Sequence, residues 1–369
     1  MRILFAVLSP ISVELGASQT ALNLSKALGT HGIEAVVWTP HPVPKEIAWW
    51  RRMQWMRRRI AEHVQQDGAF DMVDVPPVAV TSLLRRQCTV IARSVQPDLI
   101  YLWFETVHAK RVRSTSLAGG IARAVFNFYL GMLVIFGWYR AKHILCLGTA
   151  EFNWMKEWFP WWRKKLSVYV NAIGDEERRR LAEIRQHRKP PSGDGVRFLW
   201  LGRWAAHKGV DILLEFIRRN IDAHAADSVT IAGCGAEAAS HIAPELLKEG
   251  RVRIVPSYDR GRLLDLLRTH DAGLFTSRAE GWGLTLQEML ESGMPVYATE
   301  AGAVHDLRGE FPSLIRQFPP LSPPGTATFG GSAPRDAYFE RFSWTTIAAR
   351  YLHTVRDGGR HRKNGVHDA

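Results

Sequence analysis

The chain has 369 residues, 46% hydrophobic and 23% charged, which excludes a disordered or fibrous protein and asks for two domains of ordinary size rather than one core. Its 48 basic and 36 acidic residues leave a net charge of +12, so phosphates, anionic lipid or nucleic acid are the expected partners. The three cysteines, Cys88, Cys146 and Cys234, are widely spaced and odd in number, which argues against a disulfide framework or a cysteine metal site and for a reducing compartment.

In chain order, Ile3 to Leu8 is a continuous apolar run of the kind that a parallel strand buries on both faces, cut short by Ser9-Pro10 and therefore not a signal peptide. A turn with Gly16 follows. Helical spacing then runs from Thr20 to Leu28, Gly32 stops it, and Ile33 to Thr39 reads as a second strand, completing a βαβ unit. Trp49, Met53, Met56, Ile60 and Val64 form an apolar stripe flanked by arginines; such a helix suits an anionic membrane surface, and the plainer reading packs the stripe on the core. Further strands are expected at Leu99 to Trp103, Ile144 to Leu147 and Leu166 to Val170. The run Ala124 to Trp138, apolar apart from Asn127, is shorter than the roughly 20 residues that span a bilayer, so a transmembrane helix is not expected; a buried helix and a second interfacial element are the two readings left open.

From Arg188 to Gly195 prolines, glycines and charges replace all periodicity, which marks a linker. Alternation resumes with a strand at Arg197 to Leu201, a helix at Val210 to Arg218, a strand at Ser228 to Ala232, a helix at Arg260 to Leu267 and a strand at Ala272 to Phe275. The expected organisation is a doubly wound α/β domain over 1–187, a linker over 188–195 and a second α/β domain over 196–344, then a helix over 345–357 and a flexible tail over 358–369. The loop Pro319 to Ser332 and the tail carry no recognisable chemistry.

Two loops do. Ser277 to Pro295 follows a strand directly and contains Glu280, Gly281, Gly283 and Glu288. The glycines allow a tight turn and close backbone approach, and the amides of the helix starting near Leu284 favour phosphate oxygens. On one continuous helix, at about 100° per residue, Glu280 and Glu288 would sit roughly 80° apart. With Glu280 in the loop and Glu288 on the helix, both can line one elongated ligand and accept hydrogen bonds from separate hydroxyls. The second loop, Leu201 to Gly209, contains Gly202, Arg203 and Lys208, again between a strand and a helix. Its two cations suit the growing charge of a diphosphate leaving group, a task that a metal performs elsewhere. No Asp-x-Asp tripeptide or clustered set of ligand residues signals a metal site.

With Gly202-Arg203, Lys208-Gly209 and a Glu-x7-Glu pair at Glu280 and Glu288, the chain resembles family 4 retaining glycosyltransferases. The resemblance covers most of the C-terminal half. It implies two Rossmann-like, doubly wound α/β domains facing across a cleft, the GT-B fold, with 1–187 as the acceptor domain, 196–344 as the donor domain and the helix over 345–357 crossing back to the first. It also implies transfer of a sugar from a nucleotide-diphosphate donor to an acceptor hydroxyl with retention. It further implies Glu288 on the ribose, Glu280 on the donor sugar, and Arg203 and Lys208 on the diphosphate. Gly16, Gly202, Gly281, Trp282, Gly283 and Leu284 complete the donor-binding candidates, and His108 is the candidate for a histidine approaching the sugar. Ile231 to Gly235 resembles the family's Gly-x-Gly turn, and Phe342-Ser343-Trp344 the start of the returning helix. In the first loop Gly16-Ala17 stands where a Gly-Gly pair is usual, and Asn171 to Gly174 where Asn-Gly-Val or Asn-Gly-Ile is usual.

The expected cofactor set is none: the reaction is metal-independent, with the nucleotide sugar as co-substrate. The expected partners are that donor, a saccharide or lipid-linked acceptor, and an anionic membrane through 46–64, with no nucleic acid. The expected location is cytoplasmic and peripheral on the inner face of the cell membrane, in polysaccharide or glycolipid assembly. The alternatives are a nucleotide-sugar epimerase on the same fold, which would turn over donor without acceptor, and a basic nucleic-acid-binding protein, which would bind with steep salt dependence.

Overall fold

The computed structural model describes residues 1–12, 16–68, 70–107, 117–189, 195–221, 226–320 and 334–357. They form two compact units, one of 1–102, 121–172 and 340–369, the other of 103–120 and 173–339.

The first unit is built on six parallel strands in the order β2-β1-β3-β4-β5-β6. In chain order the elements are β1 (Arg2–Ala6), α1 (Gly16–Gly29), β2 (Glu34–Trp38), α2 (Arg52–Asp67), β3 (Met72–Val75), α3 (Ser82–Gln87), β4 (Thr89–Arg93), α4 (Asp98–Val107), α5 (Leu117–Arg140), β5 (His143–Leu147), α6 (Thr149–Trp158) and β6 (Leu166–Tyr169); of these, the end of α4 from Trp103 and the start of α5 up to Gly120 count with the second unit. The second sheet, also parallel, has the order β12-β11-β10-β7-β8-β9. Its elements are α7 (Asp175–His187), β7 (Arg197–Leu201), α8 (Val210–Phe216), β8 (Ser228–Ala232), α9 (Pro244–Lys248), β9 (Val252–Val255), α10 (Arg260–Thr269), β10 (Ala272–Phe275), α11 (Leu284–Glu291), β11 (Val296–Ala298), α12 (Val304–Leu307), β12 (Ile315–Gln317) and α13 (Asp336–Arg341). α14 (Trp344–Asp357) packs on α1 and β6 in the first unit. Both sheets are doubly wound α/β, with central strands such as β1, β5 and β10 buried on both faces as their continuous apolar runs require.

Several sequence expectations need correction. Leu99 to Trp103 is not a strand but part of α4, which starts at Asp98 after Pro97 and has no fully buried residue. Four strands are absent from the sequence reading, β3 and β4 in the first unit and β9 and β12 in the second. The first two are disguised by a buried ion pair: Arg93 Nε donates to Asp74 Oδ1 at 2.7 Å. Tyr351 of α14 donates to the other Asp74 oxygen at 3.0 Å, so the charges that break the apolar pattern fasten α14 to the sheet. The stripe on α2 lies largely against the core, since Met56, Ile60 and Val64 are buried; Trp49 and Trp50, in the turn before the helix, are exposed.

The run Ala124 to Trp138 belongs to a helix of 24 residues, and Ala118–Arg140 is long and apolar enough to cross a membrane by length and composition. The shorter run measured only the unpunctuated part of it. Val134, Gly137 and Trp138 face the core, while Ile121, Val125, Phe128, Phe136 and Tyr139 are exposed along the opposite face. The units divide at Ala172 and Ile173, ahead of the linker read at 188–195. The reason is that α7 is anchored to the second unit: Arg178 pairs with Glu291 at 3.0 Å, and Arg188 donates to the carbonyls of Leu267, His270 and Ser292. Residues 190–194, most of 319–332, and the tail 358–369 lie outside the described residues.

At the end of β5, Glu151 accepts hydrogen bonds from Ser94 Oγ at 2.6 Å and from the Leu147 amide at 2.7 Å. Burial raises its pKa to about 8, against the opposing effect of those two donors and helped by nearby Asp98. A carboxyl group that binds its proton more tightly folded than unfolded stabilises the fold at low pH. That contribution is complete below the ordinary glutamate range, near 4.5, and is lost as pH rises through about 8. Denaturant unfolding across this window should show stability declining with pH in the wild type and a shallower decline in Glu151→Gln.

Candidate functional site

In an open parallel sheet, ligands sit beyond the carboxyl ends of the strands, where the winding direction reverses. In the second sheet that point lies between β7 and β10, which are neighbours although each is followed by strands on opposite sides. The two loops singled out in the sequence are the loops leaving these strands. The sheet order therefore makes neighbours of the loop that carries Gly202, Arg203 and Lys208 and the loop that carries Glu280, Gly281 and Trp282, and Lys208 meets Glu280.

The loop after β7 turns through Gly209, the left-handed residue (φ +66°) that caps α8; a Cβ there would come within 1.9 Å of the Thr276 carbonyl oxygen. This close approach holds the two loops together. Thr276 Oγ1 donates to the Lys208 carbonyl at 2.8 Å, and the Arg278 and Ala279 amides donate to the His207 carbonyl. Lys208 Nζ reaches Glu280 Oε2 in a close ion pair, and Ser277 Oγ donates to the same oxygen at 3.2 Å. Burial alone would raise the Glu280 pKa, but Lys208, with smaller help from His207 and Ser277, holds it below the usual value, so the group is a carboxylate at neutral pH. His207 is itself buried, with Nδ1 2.9 Å from Glu105 Oε1. Arg203 is exposed and makes no ion pair among the described residues.

Glu280 lies in the loop and Glu288 on α11. Gly283 caps that helix with φ +84°, and a Cβ there would meet the Phe275 ring at 2.9 Å, so the chain enters the helix only through glycine. Glu288 is buried and paired with Arg260, the first residue of α10, whose Nη1 also reaches Glu177 Oε1 at 2.8 Å. Tyr258 lies close enough for the Glu288 charge to help burial raise its pKa. Its ring is also 2.9 Å from where a Cβ on Gly233 would stand, in the turn Gly233 to Gly235 after β8. The ends of β7, β8, β9 and β10 thus contribute to one neighbourhood of the second unit. Two carboxylates, three cations and the positive end of the α11 dipole can together hold an anionic, hydroxyl-rich ligand.

Trp282 is almost fully buried, and its indole N–H donates to Gln287 Oε1 at 2.8 Å. It forms the wall behind the loop rather than an exposed contact. Leu284 is the first residue of α11 and is partly exposed; Gly281 is buried. Gly16 is exposed at the start of α1 in the first unit. His108 lies outside the described residues. Sequence reasoning does not single out Arg260, Tyr258 or Glu177; the available signal is a basic residue opening a helix directly after a strand.

Residues 183–311 match the family model described as Glycosyl transferases group 1. No curated protein matches the chain in sequence. Among solved structures, the chain is similar to sucrose-phosphate synthase from Thermosynechococcus elongatus, with TM-score 0.62 and 13% identity over 98% of each chain. It is also similar to the catalytic domain of starch synthase IV from Arabidopsis thaliana bound to ADP and acarbose, with TM-score 0.62 and 12% identity over 97% of this chain and 99% of that one. A third is HepE from Anabaena in complex with UDP and glucose, with TM-score 0.60 and 14% identity over 97% and 100%. Two parallel six-stranded sheets matched end to end by these glycosyltransferases make this a GT-B fold, and its second unit carries the group 1 glycosyltransferase match.

Proposed function

We propose that the protein transfers a sugar from a nucleotide-diphosphate donor to an acceptor hydroxyl with retention, without a metal. One observation supports this reading: the loops leaving β7 and β10 pair Lys208 with Glu280 at the reversal point of the second sheet, with Arg203 exposed in the first of these loops and Glu288 on the helix that follows the second. In this reading Arg203 and Lys208 hold the diphosphate, Glu280 the donor sugar and Glu288 the ribose. The acceptor hydroxyl attacks from the face that the diphosphate leaves, its proton passing to a phosphate oxygen. Relatives of the fold solved with UDP and glucose, and with ADP and acarbose, are in keeping with such a donor.

The first unit offers a place for the acceptor. A cavity of about 310 Å³ lies at the reversal point of its sheet, between the ends of β1 and β3. Met53, Leu130 and Val134 make much of its wall apolar, and Asp98 lines it with a buried carboxylate oxygen that has no hydrogen-bond partner among the described residues. Burial raises the Asp98 pKa to about 7. An amphiphilic acceptor, such as a lipid-linked saccharide presented at the inner face of the cell membrane, fits that lining, with Asp98 bonded to its hydroxyl.

A thermal-shift screen across UDP, GDP and ADP and their sugars tests the donor assignment, because a ligand of the native state alone raises its stability. Glu288→Ala should weaken nucleotide binding by about 10- to 100-fold, the worth of hydrogen bonds to a charged group. Arg260 keeps Glu177 as a partner in that variant, so the fold should survive. Full affinity in Glu288→Ala would overturn the assignment. Donor turnover that proceeds to the epimer in the absence of acceptor would establish the epimerase instead.

A further inference from the structure

We propose that the outer face of α5 seats the first unit on an anionic lipid bilayer, lying in the interface rather than crossing it. This stands apart from the catalytic reading and needs only the surface of the first unit.

The exposed apolar residues of α5 recur at i, i+4, i+7, i+15 and i+18 from Ile121, within a single stripe about 80° wide at 100° per residue. Phe128, at its middle, is 72% exposed. A helix with apolar residues on both faces, of which the core covers one, leaves the other facing water at a cost that contact with acyl chains would remove.

Neighbouring elements extend the stripe with tryptophans, the residue type best suited to the headgroup boundary. Trp49 packs edge-on to Phe126 at 4.9 Å, which joins the exposed Trp49-Trp50 turn to α5. At the other end Lys165 donates to the carbonyls of Tyr139 and Ala141, both at 2.9 Å, and so ties the turn Pro160–Lys165 to the end of α5. Trp161 in that turn is 68% exposed, and Trp158 just before it is exposed as well.

Charge selects the occupant. No aspartate or glutamate lies between Leu117 and Arg140, whereas Arg51 and Arg52 stand beside the first tryptophan pair and Arg163 and Lys164 beside the second. Arg51 lies over the Trp50 ring and Arg140 over the Phe136 ring, so cations cover the margins of the apolar surface. An apolar strip with basic margins matches acyl chains below anionic headgroups.

The helix is long enough to span, but its mounting forbids it. Gly137 approaches the turn Pro77–Ala79 so closely that a Cβ would stand 1.9 Å from the Pro77 carbonyl oxygen, and Val134 and Trp138 are buried in the core of the first unit. Spanning would pull this face out of the core.

The test is sedimentation of the full chain with phosphatidylcholine vesicles, with and without phosphatidylglycerol. The wild type should co-sediment with the anionic vesicles and be released by alkaline carbonate. Val125→Asp/Phe128→Asp should lower partitioning by at least about tenfold, the worth of withdrawing one or two large apolar side chains from lipid. Its melting temperature should be unchanged, because both positions are exposed. Failure to bind anionic vesicles, binding unaltered by the double change, or retention in the membrane through carbonate would each overturn the proposal. So would a dimer in vesicle-free solution that the same two changes dissociate, because the face would then belong to a second copy.

Discussion

Lys208→Ala should lower kcat/KM by about 100- to 1000-fold, the cost typical of removing one preorganised donor from a developing negative charge. In the proposed reaction Lys208 meets the departing diphosphate, and in the structure it already neutralises Glu280 inside the loop pair. Its removal therefore has two consequences that must be separated. Without the lysine, burial is free to raise the Glu280 pKa, and the remaining charge destabilises the unit by about 3 kcal/mol or more. Glu280→Ala added to Lys208→Ala should restore much of the melting temperature and none of the activity. If the single variant retained wild-type turnover at saturating donor, the clamp would have to be sought elsewhere.

Glu291→Ala should destabilise the second unit by about 3–5 kcal/mol, as expected when a buried, fully paired carboxylate is removed from its cation. Glu291 is inaccessible to solvent, pairs with Arg178 at 3.0 Å, and accepts hydrogen bonds from Tyr338 at 2.6 Å and Gln287 at 3.1 Å. Gln287 in turn accepts from Trp282, so the network runs from α7 and α13 to the wall behind Glu280. The melting temperature should fall by about 10 °C, at roughly 2–4 °C per kcal/mol for a unit of this size. Where the variant is still folded, nucleotide affinity should fall less than in Glu288→Ala, because no proposed ligand contact is lost. Calorimetry of folding and of nucleotide binding on both variants distinguishes the supporting residue from the contacting one.

Much of the second unit is legible in the sequence because its strands are short apolar runs, ended by glycine at β7 and β8 and by Thr276-Ser277 at β10, and because the chemistry clusters where those runs end. The loop positions of Lys208 and Glu280 need no more than that. The first unit is harder. A buried Asp74–Arg93 pair makes two core strands look polar, and α4 looks like a strand because its apolar residues are consecutive. Arg260 is invisible for a different reason: its partners, Glu177 and Glu288, are far away in sequence, and only the sheet order brings them together. The extent of α5 is hidden by Arg123 and by the two glycines at its start, which a helix tolerates at modest cost.

Both glutamates of the second unit are already satisfied from within, one by Lys208 and the other by Arg260. Each cation sits on one carboxylate oxygen, Oε2 of Glu280 and Oε1 of Glu288, and the second oxygen of each accepts no hydrogen bond among the described residues. A ligand hydroxyl can therefore be added to each pair without displacing the cation that keeps the carboxylate charged. A compound that draws the cation away without supplying an equivalent donor leaves a desolvated charge behind, a cost that discriminates among ligands.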